Sequence, residues 1–371
     1  MTDLFSPLTL RGVTFRNRVG VSPMCMYSCA DDGLPTEWHM THLVSRAVGG
    51  AGMTMVEASA VQPEGRITPQ DVGIWSDAHT APHARLAHAI AAMGSVPAIQ
   101  IAHAGRKASR SRPWEPPAPA QNGWETVGPS AAAFGDFLPP RPLSEAEILQ
   151  LIAAFAAAAQ RSVVAGYKLI EIHGAHGYLI HQFLSPLSNH RNDSWGGDFE
   201  GRTKLAREVV KAVRAAIPDD LALSIRISHT DWVEGGWSTE ESVRLSGVLK
   251  ELGVDIVDVS SGGLDAGQKI PMGPGYQVPG AAEVKAGAGV PVMAVGLITE
   301  PAQAQAILDE GKADLVLLAR AFLRDPYWTL NAAVALGRTE ALAIPPQYDR
   351  SWSTPARLKL DQKIADPLPA L

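Results

Sequence analysis

Short apolar runs recur along the chain, separated by longer amphipathic stretches, and this alternation dominates its pattern. Runs at Val19–Met24, Met53–Ala58, Val96–Ala102, Lys168–His173, Leu221–Ser228, Val254–Ser260, Pro291–Gly296 and Ala313–Ala319 predict eight buried strands. The stretches between them carry helix start signals. Ser144-Glu145-Ala146-Glu147 reads as a capping box before an Ala-rich run to Ala165. Ser238-Thr239-Glu240-Glu241 opens another helix, and Thr299-Glu300-Pro301 sets a proline near the first turn of a third. Ahead of the first strand, residues 8–18 alternate (Leu8, Leu10, Val13, Phe15) around Arg11-Gly12, which predicts a β-hairpin.

Eight strand–helix units are what a (β/α)8 TIM barrel needs, although alternation alone also fits a doubly wound α/β sheet. The count of eight favours the barrel, as does the lack of a Gly-x-Gly-x-x-Gly turn after the first strand. No internal repeat or linker divides the chain, so residues 1–371 read as one domain. Two stretches exceed a minimal barrel. One is an insertion after the third strand at about 106–142, rich in proline and aromatics (Trp114, Pro116, Pro117, Trp124, Pro139), which suggests a lid. The other is a C-terminal extension at about 345–371, whose start, Pro345 to Trp352, is dense in Tyr, Arg and Trp and suits docking onto a second subunit.

Composition narrows the partners. Charged residues are 19% and hydrophobic residues 46%, the balance of a globular protein with a large core. The formal charge of −6 and the absence of a basic stripe argue against nucleic acid. Apolar runs such as Leu151–Ala159 fall short of the ~18 residues of a membrane span. The first residues lack a signal-peptide pattern, which makes the cytoplasm the expected compartment. Cys25 and Cys29 match no zinc or iron–sulfur spacing.

In a barrel the chemistry lies at strand ends. The fourth strand runs into His173-Gly174-Ala175-His176-Gly177-Tyr178, where two imidazoles and a phenol could converge on one small ligand. Packing needs none of them, and the glycines discourage a helix. The first strand ends in Ser22-Pro23-Met24-Cys25-Met26-Tyr27, a turn with a buried thiol or a sulfur and phenol set against a flat cofactor. Ala58 ends the second strand and permits close approach of a ring. Gln100 on the third strand and Arg226 on the fifth point inward. A buried guanidinium needs an anion, either an inward carboxylate or a cofactor that carries charge. Gly296 and Ala319-Arg320 end the last two strands, where such barrels bind phosphate.

With these residues assembled, the chain resembles the Old Yellow Enzyme family, and within it the xenobiotic-reductase or thermophilic-like ene-reductase branch. The likeness rests on Asn17-Arg18, Ser22 to Tyr27, Glu57-Ala58, Gln100 to Lys107, His173 to Pro186, Arg191-x-Asp193 before Gly196-Gly197, Arg226-Ile227-Ser228 and Ala319-Arg320. It implies non-covalent FMN in a (β/α)8 barrel, with NADPH or NADH as reductant. Matching positions assign the flavin to Ser22, Pro23, Met24, Cys25, Ala58, Gln100 and Arg226, and its phosphate to Gly296, Ala319 and Arg320. His173 and His176 would hold a substrate oxygen, Tyr178 would donate a proton, and Cys25 and Tyr27 would complete the pocket. Arg350, with Trp352, would reach a neighbouring subunit's site in a homodimer or homotetramer. The chain departs from the family in three places: Gly201, where relatives usually carry asparagine; Val295-Gly296-Leu297-Ile298, which lacks the tryptophan of one subgroup; and the tail after Trp352, which is longer than usual.

The implied activity is reduction of an activated alkene such as an α,β-unsaturated carbonyl. Hydride would reach Cβ from FMN N5, and the proton from Tyr178 would reach Cα. Nitro compounds or nitrate esters are alternative acceptors for the same site. A metal-dependent barrel hydrolase using His173 and His176, and a non-catalytic flavin binder, are the readings from other classes.

Overall fold

A computed structural model of the chain describes residues 2–120, 123–341 and 344–352, and in it eight parallel strands close into a barrel. The strands are β1 (Val19–Val21), β2 (Met53–Ala60), β3 (Val96–Ala102), β4 (Leu169–Gly174), β5 (Ala222–Ser228), β6 (Ile256–Ser260), β7 (Val292–Ala294) and β8 (Leu315–Leu318). β8 pairs with β1, so each strand has two partners and the sheet has no open edge. Helices α1 (Glu37–Val48), α2 (Thr80–Ala92), α3 (Glu145–Ala165), α4 (Phe199–Ala216), α5 (Thr239–Glu251), α6 (Val278–Ala288) and α7 (Pro301–Asp309) follow β1 to β7 in turn, and α8 (Trp328–Ala335) follows β8. The (β/α)8 expectation holds, and the doubly wound sheet does not.

The strand ends differ from the sequence expectation for local reasons. β1 stops at Val21, short of Met24, because Pro23 has no N–H for the ladder. β2 continues past Ala58 to Ala60 through a register shift between Val56 and Ser59, which re-aims Glu57 and Ala58. β7 ends before Gly296, whose φ of +124° leaves the strand region. The capping boxes form as expected, with Ser144 N–H donating to the Glu147 carboxylate at 2.8 Å and Ser238 N–H to Glu241 at 3.2 Å. By length and composition α3 could cross a bilayer. Its Ile148, Leu151, Phe155 and Ala158 are instead buried where it packs against α2, α4 and β3.

The hairpin also forms, pairing Leu8–Leu10 with Val13–Phe15 around Arg11 (φ +50°) and Gly12. Its Leu10, Val13 and Phe15 pack with Met53, Met55, Leu169, Ala222, Ile256 and Leu315, the strand starts, and so plug the N-terminal end of the barrel. Above the plug the interior changes character. Period-two alternation stacks Leu169, Glu171 and His173 on β4, then Ala222, Ser224, Arg226 and Ser228 on β5, then Ile256, Asp258 and Ser260 on β6. Register sets Gln100, Glu171 and Ser224 side by side, with His173, Arg226 and Asp258 one level higher. The interior is thus apolar at the plug, ionisable in the middle and polar at the mouth.

The Gly201 departure has a steric cause. Asp198 caps α4 by accepting the Gly201 N–H at 3.0 Å, and a Cβ at 201 would overlap the carbonyl oxygen of Gly196. Gly201→Asn should therefore destabilise the fold by about 1–3 kcal/mol, read as a lower midpoint in urea denaturation. An unchanged midpoint would show that the Gly196 turn yields without cost.

Candidate active site

Chemistry is densest where β4 ends. His173 lies on the strand, and the chain then turns through His176 (φ +58°) and Gly177 (φ +71°) into a short helix, Leu179–Leu184. A left-handed histidine needs a surrounding structure that holds it. Three anchors do so here. Its N–H donates to Ser228 Oγ at 2.9 Å, its carbonyl accepts from Lys107 Nζ at 2.9 Å, and its Nε2 lies 2.7 Å from Ser260 Oγ. The His173 ring centroid is 5.1 Å from that of His176 and 5.1 Å from that of Tyr178, so the expected trio is assembled. Gly174 does not free the turn. It is a strand residue, and a Cβ there would lie 3.0 Å from the Arg226 carbonyl oxygen, so it allows close approach of β5.

Burial sets the protonation states. Desolvation, reinforced by the charge of Arg226, pushes both imidazoles well below their usual range. Desolvation also pushes the Tyr178 phenol, the Tyr27 phenol and the Cys25 thiol upward. At neutral pH this end of the site therefore presents uncharged groups with their protons in place. Each neutral imidazole has a single N–H, so the Ser260 contact decides which His176 nitrogen carries it. His173 Nδ1 is buried without a hydrogen-bond partner among the described residues. Lys107 is a second nearby cation beside Arg226. Burial lowers it to about 8, and its Nζ sits 5.2 Å from the Tyr178 ring centroid.

Two loops close over these groups. In the β1 loop, Met26 N–H donates to Glu57 Oε1 at 2.9 Å, while Glu57 Oε2 lies 3.4 Å from His39 Nε2. Tyr27 takes a positive φ of +50° and meets Trp114 of the insertion edge to face at 5.8 Å. The ring centroid of Phe134, also from the insertion, lies 4.5 Å from Lys107 Nζ.

Beside the trio lies a cavity of about 390 Å³ lined by Pro23, His176, Arg226, Gly296, Ala319 and Arg320, among others. Its floor is Arg226, with Nε 2.5 Å from Asp258 Oδ2 and Nη2 donating to Ser22 Oγ at 2.8 Å. Of the two anions open from sequence, the inward carboxylate is therefore present. Nη1 still has no partner among the described residues. Gln100 is buried as expected and donates to Glu171 Oε1 at 2.8 Å. Arg320 opens the far side, close enough to Tyr276 for its charge to act on the phenol. A flat cofactor with a phosphate fits this chemistry: a guanidinium at each end, and Gly296, where a Cβ would lie 2.9 Å from Gln277 Nε2.

Other expected residues lie elsewhere. Ala58 borders a smaller space shared with Tyr178 and Asp71, and Met24 is half-buried against the core. Arg350 is exposed on a short helix, Asp349–Trp352, and does not line its own chain's cavity. The Trp352 side chain and the chain beyond it lie outside the described residues. Sequence reasoning missed Glu171, Asp258, Ser260, Gln277 and Lys107 as members of the site. The first two were detectable as acids inside apolar runs. Among the described residues, no group of three or more His, Cys, Asp or Glu is placed to hold a metal, so the His173/His176 pair has no third ligand there.

Known proteins share the sequence and fold of this chain. Residues 3–338 match the model of the NADH:flavin oxidoreductase / NADH oxidase family. The chain is 48% identical over 353 residues to an NADPH dehydrogenase of Bacillus pumilus (strain SAFR-032), spanning 95% of this chain and 99% of that protein. Morphinone reductase in complex with tetrahydroNAD superposes with a TM-score of 0.75 at 26% identity, over 91% of this chain and 92% of the other. A 2-naphthoyl-CoA reductase complex gives 0.81 at 26% identity over 91% of this chain, which spans only 52% of that larger one.

The neutral imidazoles carry a pH signature. With folded values below the unfolded ~6.5, the unfolded chain binds more protons as pH falls, so stability declines below about pH 6.5 by up to ~1.4 kcal/mol per unit for each ring. Histidine side-chain NMR should show His173 and His176 neutral at pH 6. Imidazolium signals there would overturn the assignment.

Proposed function

Because the chain belongs to the NADH:flavin oxidoreductase / NADH oxidase family, with FMN as cofactor and NAD(P)H as reductant, we propose that its site reduces activated alkenes. The observation that carries this reading is the His173–His176–Tyr178 trio, whose ring centroids lie 5.1 Å apart in both pairs around His173. Bound FMN supplies the hydride that it takes from NAD(P)H. The groups suited to hold it are Arg226, Ser22 and Pro23 on the ring side and Gly296, Ala319 and Arg320 on the phosphate side.

The residues then divide the remaining work. Neutral N–H donors on His173 and His176 receive the carbonyl oxygen of an enone or enal. They favour negative charge as it gathers there, and this draws electrons from Cβ. For His176 to donate into the site through Nδ1, Ser260 must turn its hydroxyl proton from Gln277 Oε1, 3.2 Å away, to Nε2. Tyr178, kept protonated by burial, hands its phenolic proton to Cα. Lys107 offsets the phenolate charge left behind. Cys25 and Tyr27 line the pocket, and Trp114 packs against Tyr27 at its rim.

Three further parts belong to this reading: the insertion acts as a lid, a homo-oligomer brings Arg350 to a neighbouring site, and the protein resides in the cytoplasm. Arg350→Ala tests the second part. It should alter Michaelis constants for the alkene in the assembled oligomer without changing FMN content.

Stopped-flow separation of the half-reactions tests the chemistry. Tyr178→Phe should slow alkene reduction by ~100-fold or more while NAD(P)H oxidation stays near wild type. Equal loss in both halves would remove Tyr178 as the donor. His173→Ala and His176→Ala should each weaken binding of phenols, which mimic the enolate oxygen, by roughly 10-fold or more. Unchanged affinity would sink the oxygen clamp.

A further inference from the structure

Arg226 lies between two carboxylates that it cannot both neutralise. Its Nε is 2.5 Å from Asp258 Oδ2 and 3.8 Å from Glu171 Oε1, and both acids are fully buried inside the closed barrel. Two carboxylates beside one guanidinium leave an uncompensated anion in a low-dielectric interior, and such sites keep a proton instead. The hydrogen bonds indicate where it sits. Glu171 Oε1 accepts from Gln100 Nε2 at 2.8 Å, and Oε2 lies 3.0 Å from Ser224 Oγ. Asp258 Oδ1 is buried without a donor, yet Asp258 lies within hydrogen-bonding reach of Glu171. A proton on Glu171 supplies the missing donor. The surrounding groups agree. Desolvation, then Asp258, raises Glu171 to about 8; desolvation raises Asp258 as well, but there Arg226 opposes it through a direct hydrogen bond in addition to its charge. The other titratable groups around Arg226 are Cys25, His173 and His176, all held uncharged at neutral pH.

We propose that Glu171 and Asp258 are positioning residues for Arg226: a neutral acid and an ionised carboxylate that share one proton, aim the guanidinium at the cavity, and set how strongly it attracts a reduced flavin. The tuning half rests on Arg226 facing FMN, as the proposed function has it. The shared proton does not depend on that placement.

Glu171→Gln in the holoenzyme tests both halves, because glutamine is isosteric with the neutral acid. The first readout is Tm against pH. Glu171 with a folded value near 8 and an unfolded value of 4.5 binds its proton in the folded state across that window. The Tm of wild type relative to the variant should therefore fall from pH 5 to 8 and level off above. The second readout is the flavin midpoint potential by dye equilibration. Wild type and variant should agree within twofold in the reduction equilibrium at pH 6.5. Above pH 8, ionised Glu171 should make wild type up to about tenfold harder to reduce, about 30 mV for two electrons. Asp258→Asn should erase the pH step as well, because the remaining carboxylate then pairs with Arg226 and stays ionised. Parallel Tm curves, a greater than tenfold shift in the variant at pH 6.5, or loss of FMN by the variant would overturn the shared proton. A Tm step with parallel potential curves would overturn the placement of Arg226 against the flavin and leave the shared proton standing.

Discussion

The structure depends on one constraint, the burial of a guanidinium in the middle of a closed barrel. Arg226 is 4% exposed, and a charge so placed must be compensated. β4 and β6, the neighbours of β5, supply Glu171 one level below Arg226 and Asp258 level with it. Satisfying those acids recruits Gln100 and Ser224 in turn. The barrel therefore cannot carry a conventional aliphatic interior above its plug. The hairpin takes over the apolar packing at the N-terminal end, with Phe15 fully buried among the strand starts. That division frees the upper levels for polar groups aimed at the mouth.

The same economy holds at the rim. His176 keeps a left-handed backbone because Ser228 on β5, Ser260 on β6 and Lys107 after β3 each grip a different atom of it. No single contact would fix the ring, but three from separate elements over-determine it. Tyr27 shows a second positive φ across the site, in a loop tethered through Met26 to Glu57 at the β2 bulge. Strain and anchorage fall on residues placed for chemistry, where stability alone would not put them.

Legibility in the sequence follows from how local each signal is. The eight strands, the capping boxes and the hairpin could be read because each depends on a few neighbouring residues. Strand ends were misjudged where a proline, a bulge or a positive φ intervened, as at Pro23, Glu57 and Gly296. The site residues were legible where their types have no packing use, as with His173, His176, Tyr178 and Arg320. Glu171 and Asp258 were passed over because each sits inside an apolar run, and only barrel register sets them beside Arg226. Ser260 and Lys107 act on the backbone or ring of His176 from strands distant in sequence, a relation that linear spacing does not encode.

The site is therefore divided electrostatically. Arg226 and Arg320, at the two ends of the cavity, suit the negative charges of a phosphorylated cofactor, whose reduced form adds another. Around His173, the side chains of His176, Tyr178, Tyr27 and Cys25 stay uncharged, as it does, because burial penalises every ionised form. On the proposed reading, an uncharged donor set polarises a carbonyl without binding an anion tightly, which suits release of the product oxygen once charge leaves it. A cationic clamp in the same place would hold the enolate and the product alike. Lys107 keeps its ammonium on the carbonyls of His176 and Gly263, so its charge acts on Tyr178 through space. On the proposed reading, the charges suited to a cofactor and the protons available for transfer thus belong to different residues of one site.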